Sequence, residues 1–167
     1  FVYDNYLYVD DETLNFMKLI IKEDGFDKSD PMIIDKVAMY IRQSASYNLK
    51  YDTGLDNCSN IVISFLDTYK EGVCRHYASA ATLLYRALGI PARYTVGAYA
   101  ETKAGEWVDV YAGNAHAWVE VYFDGLGWIP IEVTGSANQN VEGKKIEIKP
   151  ATEEKIYDGE PLVPSGN

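Results

Sequence analysis

Glu71-Gly72-Val73-Cys74-Arg75-His76-Tyr77-Ala78-Ser79-Ala80-Ala81-Thr82-Leu83-Leu84-Tyr85-Arg86-Ala87-Leu88-Gly89-Ile90-Pro91-Ala92-Arg93-Tyr94 is the stretch on which the reading of this chain turns. Ala78, Ala81, Leu84, Tyr85 and Leu88 recur at three- and four-residue steps, the spacing of one apolar helix face. Gly89 stands where a left-handed residue ends a helix, and Pro91 follows where the helix cannot continue. The helix therefore opens at Cys74. After Pro91 the period falls to two: Tyr94, Val96 and Ala98 alternate with Arg93, Thr95 and Gly97, which predicts a strand.

Upstream the period is helical. Asp10, Asp11 and Glu12 form an acidic first turn before Leu14, Met17, Ile20 and Ile21, predicting a helix that ends near Gly25. Asp30 and Pro31 read as the N-cap and first position of a second helix through Ile34, Val37, Ala38, Ile41 and Ala45, with Tyr47 to Tyr51 leaving it as extended chain. Ser59 or Asn60 is placed to cap a short third helix burying Ile61, Phe65 and Leu66, before a break at Glu71-Gly72. Downstream, residues His116 to Phe123 alternate, Asp124-Gly125-Leu126-Gly127 supplies hairpin-turn chemistry, and Trp128 to Val133 reads as the return strand. Lys145-Ile146-Glu147-Ile148 could add one more strand. Helices first and an antiparallel sheet afterwards describe an α+β fold. The expected organisation is one domain over 1–136, with helices within 10–48, a helix over 74–89 and a sheet over 92–134; residues 137–167 form an extension or linker.

The composition narrows the function. Fifteen basic against 25 acidic residues give a net charge of -10, with no basic run, and binding to nucleic acid or an anionic membrane needs clustered Lys and Arg. The chain has no apolar run long enough to cross a membrane; it starts at Phe1, which reads as an excised segment. Two cysteines, Cys58 and Cys74, are too few for a disulfide framework. Cys58 reads as a plain thiol; its pairing with Cys74 would instead be a redox lock.

Cys74 carries the chemistry. A thiol attacks an amide only as thiolate, which a helix N-terminus or a neighbouring imidazolium favours. The free N–H groups of the same first turn can stabilise an oxyanion. His116 opens a strand able to run beside that helix start, and Glu132 lies on the strand expected to pair with it. A carboxylate there fixes the tautomer of the ring and stabilises its charged form. His76, two residues after Cys74 on the same helix, does not face it and is the poorer base. Cys58, Cys74, His76 and His116 lack the close ligand pair that a zinc site shows, so neither a metal nor a cofactor is expected. Tyr47, Asn48 and Tyr51 are candidates for a second oxyanion donor by position.

These segments resemble the transglutaminase-like domains of microbial proteins. Gly72 to Ala78 and Leu84 to Tyr94 look like that family's nucleophile segment; Ala115-His116-Ala117-Trp118-Val119-Glu120-Val121-Tyr122, then Gly125 to Trp128 and Glu132-Val133-Thr134, resemble its histidine and carboxylate segments. The match covers about Tyr47 to Thr134. It implies a papain-like cysteine proteinase / transglutaminase-core fold and a triad of Cys74, His116 and Glu132. Two positions depart from the pattern: the family's third member is usually Asp, one methylene shorter than Glu132, and Asn114 stands where an acidic residue often precedes the histidine. Trp118 and Trp128 are expected to pack around the triad strands and shield the ion pair, and Arg93 to pair with an acidic neighbour.

The implied function is acyl transfer on peptide or isopeptide amides through a thioester. Water resolving it gives a peptidase or deamidase and an amine gives a crosslinker; the residues leave both open, and likeness to microbial members favours hydrolysis. The competing expectation is a noncatalytic binding module that keeps the fold. Peptide or protein, cell-wall associated in one version, is the expected partner. Lys155-Ile156-Tyr157-Asp158-Gly159-Glu160-Pro161-Leu162 resembles the opening of repeat modules in long bacterial surface proteins, which points to an extracellular or cell-surface setting within a larger exported protein; a Gly/Pro linker is the plainer reading.

Overall fold

The computed structural model describes residues 1–105 and 107–135 and the backbone of 145–146. A one-turn helix, α1 (Val2–Asn5), leads into α2 (Asp11–Glu23), where the Asp10 carboxylate caps the first turn by accepting the Thr13 amide at 3.0 Å. Helix α3 (Ile33–Ser44) starts later than Pro31 predicts and ends before residue 48. The Asp30 side chain accepts from the Met32 amide at 2.8 Å, making a turn of its own ahead of the helix. Past α3 the extended piece is only β1 (Ser46–Tyr47), which pairs in parallel with β2 (Glu71–Gly72), so the expected break at 71–72 is a short strand. The third helix begins as α4 (Ile61–Ile63), with Asn60 as its cap, and widens into a π-helical turn over Ser64–Tyr69. Phe65 and Leu66 are buried as expected. Ile61 is exposed, and Val62, three residues before Phe65 on the same face, is buried in its place.

Helix α5 (Cys74–Ala87) is the centre of the molecule. Tyr77, Ala78, Ala80, Ala81, Leu84 and Tyr85 are wholly buried, because β3 (Ala92–Ala98) and β5 (Ala115–Phe123) cover one side of the helix while α2 and α3 cover another. The sheet is antiparallel in the order β3-β5-β6, with β6 (Gly127–Ile131) returning through the predicted hairpin. Gly125 and Gly127 hold positive φ there, at 81° and 89°, a conformation that disfavours a side chain. A separate pair joins β4 (Val110–Tyr111) to β7 (Lys145–Ile146), and residues 147–148 and the 155–162 motif lie outside the described residues. No helix among the described residues is long and apolar enough to cross a membrane.

Two buried tyrosines fasten α5 to α3. The Tyr77 hydroxyl donates to the Ala45 carbonyl and the Tyr85 hydroxyl to the Ile34 carbonyl, each at 2.7 Å. Burial pushes the Tyr77 phenol up to about 12, so it remains a donor at any working pH. Tyr77→Phe leaves the Ala45 carbonyl without that donor and should lower stability by about 1 to 2 kcal/mol in denaturant unfolding, with an unchanged m-value.

Candidate active site

The start of α5 is set by residues on both sides of Cys74. Gly72 ends β2, and Val73 is the extended N-cap. His76 then closes the turn in both directions: its amide donates to the Val73 carbonyl at 2.8 Å, and its Nδ1 accepts from the Val73 amide at 3.0 Å. A side chain at the third helical position bonding back to the N-cap amide is the logic of a capping box, here built with imidazole. It needs Gly72, because a Cβ at that position would fall 2.5 Å from Nδ1. His76 is buried and its Nδ1 is engaged by the Val73 amide; desolvation lowers its pKa against the opposing pull of Asp56, whose Oδ1 lies 3.3 Å from Nε2.

His116 opens β5 and joins Glu132, Nε2 to Oε2 at 2.6 Å. The route differs from the expected one. Strand β6 ends at Ile131, which pairs with Val119, so Glu132 is not a cross-strand partner of His116 but the first residue of the turn beyond the strand. From there the extra methylene of Glu reaches back along the sheet. Its other oxygen accepts from the amides of Val133 and Thr134 at 2.9 and 2.7 Å, and Arg42 of α3 donates to the Glu132 carbonyl. Burial works to raise the pKa of this carboxyl, but the Thr134 amide and His116 outweigh it and hold the group below the ordinary carboxylate value. Glu132 stays half exposed, while His116 is covered except for 16% of its side chain.

Tyr99, Asn114, His116, Glu132, Thr134 and Gly135 line a cleft of about 210 Å3. Asn114 has a role beyond the sequence reading: its carbonyl and side-chain oxygen take the amides of Tyr99 and Tyr111, both at 2.8 Å, and tie two loop segments at the rim. Cys74 is half buried, and burial, together with the charge of its thiolate form, raises the pKa of Tyr94 on β3. Gly97, three residues further along β3, is the rung that pairs with His116. No hydrogen bond joins the sulfur to the imidazole among the described residues.

The tryptophans divide. Trp118 stacks beside His116 with ring centres 6.3 Å apart, as expected. Trp128 does not shield the pair: it faces Tyr122 across the strands, packs on Tyr6 and lies under the Arg93 guanidinium at 4.4 Å, at the far end of the sheet from His116. Arg93 pairs with Glu120 at 2.6 Å. The expected second donors are engaged elsewhere, Asn48 on Glu71 and Tyr51 on Asp56. Cys58 is a free thiol that donates to the Gly54 carbonyl at 3.5 Å. No group of three His, Cys, Asp or Glu side chains is arranged to hold a metal ion among the described residues.

With this geometry in view, residues 25–133 match the model of the transglutaminase-like superfamily. The chain belongs to that superfamily. It is 39% identical over 116 residues to the uncharacterized protein YebA of Bacillus subtilis, covering 65% of this chain and 15% of that protein. It is 38% identical over 92 residues to a protein-glutamine gamma-glutamyltransferase of Pseudomonas aeruginosa, covering 53% of this chain and 13% of that one. The chain thus spans a small part of the length of these relatives. The fold matches the periplasmic domain of TgpA from Pseudomonas aeruginosa with a TM-score of 0.61 at 24% identity, covering 78% of this chain and 46% of that chain.

As a transglutaminase-like domain, this one adds two residues that sequence reasoning passed over, Asp56 and Arg42. Asp56, with Tyr51 and Arg75, surrounds His76, and Arg42 anchors the Glu132 turn. Arg75 and His76 were in view as part of the nucleophile segment; Asp56 and Arg42 gave no signal, being solitary charges within ordinary polar stretches.

Because the folded pKa of Glu132 is depressed, its contribution to stability is present above the ordinary carboxylate value and lost as pH falls through the folded one. Carboxyl NMR titration should show Glu132 ionising below that ordinary value. His116→Ala should move the titration upward but only part of the way, since the two amides remain.

Proposed function

We propose that this domain catalyses acyl transfer from a carboxamide, with Cys74 as nucleophile, His116 as base and Glu132 as the group that orients the base. The observation that carries the reading is the 2.6 Å bond between His116 Nε2 and Glu132. With the Nε2 proton directed at the carboxylate, the lone pair of a neutral ring is on Nδ1, free to take the thiol proton. The sulfur bonds to the amide carbon, the C–N bond breaks, and ammonia or an amine leaves with the proton returned by His116. The remaining thioester is resolved by water or by a second amine. Helix α5 supports the sulfur electrostatically, since Cys74 is its first residue. Nucleophile–base pairs of this kind are often long without substrate and tighten in the Michaelis complex.

The relative that is a protein-glutamine gamma-glutamyltransferase supports a glutamine side chain as acyl donor. The cleft beside His116 is open to solvent, which lets water compete with an amine for the thioester. Likeness to a periplasmic domain supports an exported setting, in which protein or wall peptide is the available partner. A second reading, a binding module that keeps the fold, draws on the exposed rings of Tyr94, Tyr99, Trp107 and Tyr111.

Incubation with glutamine-bearing peptides and a labelled primary amine decides among these. Label incorporation marks transfer, ammonia or cleavage without label marks hydrolysis, and neither, with Cys74 alkylating no faster than Cys58, leaves the binding module. Cys74→Ala should abolish activity and leave folding intact. Glu132→Gln should cost less than loss of Cys74 or His116, because it keeps an acceptor for the Val133 and Thr134 amides.

A further inference from the structure

A second histidine–carboxylate pair stands in the first turn of α5, and nothing in the chemistry above uses it. His76 Nδ1 accepts from the Val73 amide, so that nitrogen carries no proton; the ring proton is on Nε2, which faces Asp56 Oδ1 at 3.3 Å. Asp56 is itself held. Arg75 donates to both its oxygens at 2.7 Å, and the Tyr51 hydroxyl donates to Oδ2 at 2.7 Å. Around the ring, Phe65 of the π-helical turn stacks at 5.6 Å, Tyr51 packs edge-on at 5.0 Å, and Gly72 of β2 leaves the space that the ring fills. The charged and titratable groups facing His76 are therefore Asp56, Arg75 and Tyr51; Glu71, also on β2, is turned toward Asn48 and the Asp52 amide.

We infer that His76, fixed in one tautomer by Asp56, is a positioning residue for Cys74: it clamps the first turn of α5 and leaves the Cys74 and Arg75 amides to face the substrate carbonyl. This rests on Cys74 being the nucleophile. The Val73 amide is taken up by the ring, so it offers nothing to an oxyanion, and the helix start cannot fray while the ring stays neutral. Protonation of Nδ1 removes the acceptor and sets two N–H groups against one carboxylate and one amide. The clamp is thus present at neutral pH and lost in acid, in the same direction as burial moves the ring.

The test uses the whole chain and two readouts: exchange of the Val73 amide by NMR, and the pH profile of Cys74 alkylation by iodoacetamide, with Cys58 as the internal reference. His76→Ala should speed Val73 exchange about tenfold and move the Cys74 profile toward higher pH, while His76→Gln, whose side-chain oxygen can accept the same amide, restores both. In the unsubstituted protein, acid should release the Val73 amide as His76 titrates, and Asp56→Asn should move that midpoint to lower pH; this arm stands even where His76→Ala does not fold. A Cys74 thiol that is activated and dependent on His116 but indifferent to His76→Ala overturns the clamp alone. A thiol that is ordinary from the outset overturns the nucleophile and the clamp's role with it. A Val73 protection factor, corrected for the intrinsic exchange rate, that acid leaves unchanged overturns the clamp regardless of the thiol.

Discussion

Burial of helix α5 is the constraint on which the rest of this structure depends. A helix covered by a sheet on one side and by two helices on another has little freedom to rotate or slide, because Tyr77, Ala80, Ala81, Leu84 and Tyr85 fill the core at close packing and two tyrosine hydroxyls tie it to α3. Its first residue is Cys74. Fixing the barrel of the helix therefore fixes where a sulfur sits and which way the first-turn amides point, and small residues at 78, 80 and 81 let the neighbouring elements come close enough to do it.

The two histidine–carboxylate pairs divide the work by their solvent exposure. His116–Glu132 opens onto a cleft, with Glu132 half exposed, so the pair is within reach of solvent. His76–Asp56 has its ring sealed between Phe65 and Tyr51, where a fixed tautomer serves as a structural acceptor. The same side chain thus sits in two different environments in one domain, and burial is the variable that separates them. Glu132 illustrates the cost of carrying the longer acid at this position: a flexible carboxylate needs two backbone donors and an anchored carbonyl to stay in one place.

Much of this was legible in the residues. Periodicities of three to four and of two separated helices from strands, and the Gly89 and hairpin glycine positions came out as the turn chemistry requires. Where the reading slipped, local rules lost to competing local bonds: Asp30 spent its side chain on Met32 rather than capping α3 at Pro31, and β6 stopped at Ile131 because the Glu132 carboxylate captured the next two amides. The neighbourhood of Trp128 in sequence predicts a shield for the ion pair, yet the antiparallel register carries it away from His116 to the opposite end of the sheet.

The sequence by itself determined the fold class, the helix that starts at Cys74 and the pairing of one histidine with one acid, since each follows from short-range spacing and residue type. Only the tertiary structure decided how Glu132 reaches His116 from beyond its strand, that Asp56 stands against His76, and that Arg42 holds the Glu132 carbonyl. Those relations join residues 20 and 90 positions apart, and contact across such a span is set by how helices and sheet pack, which no local pattern encodes.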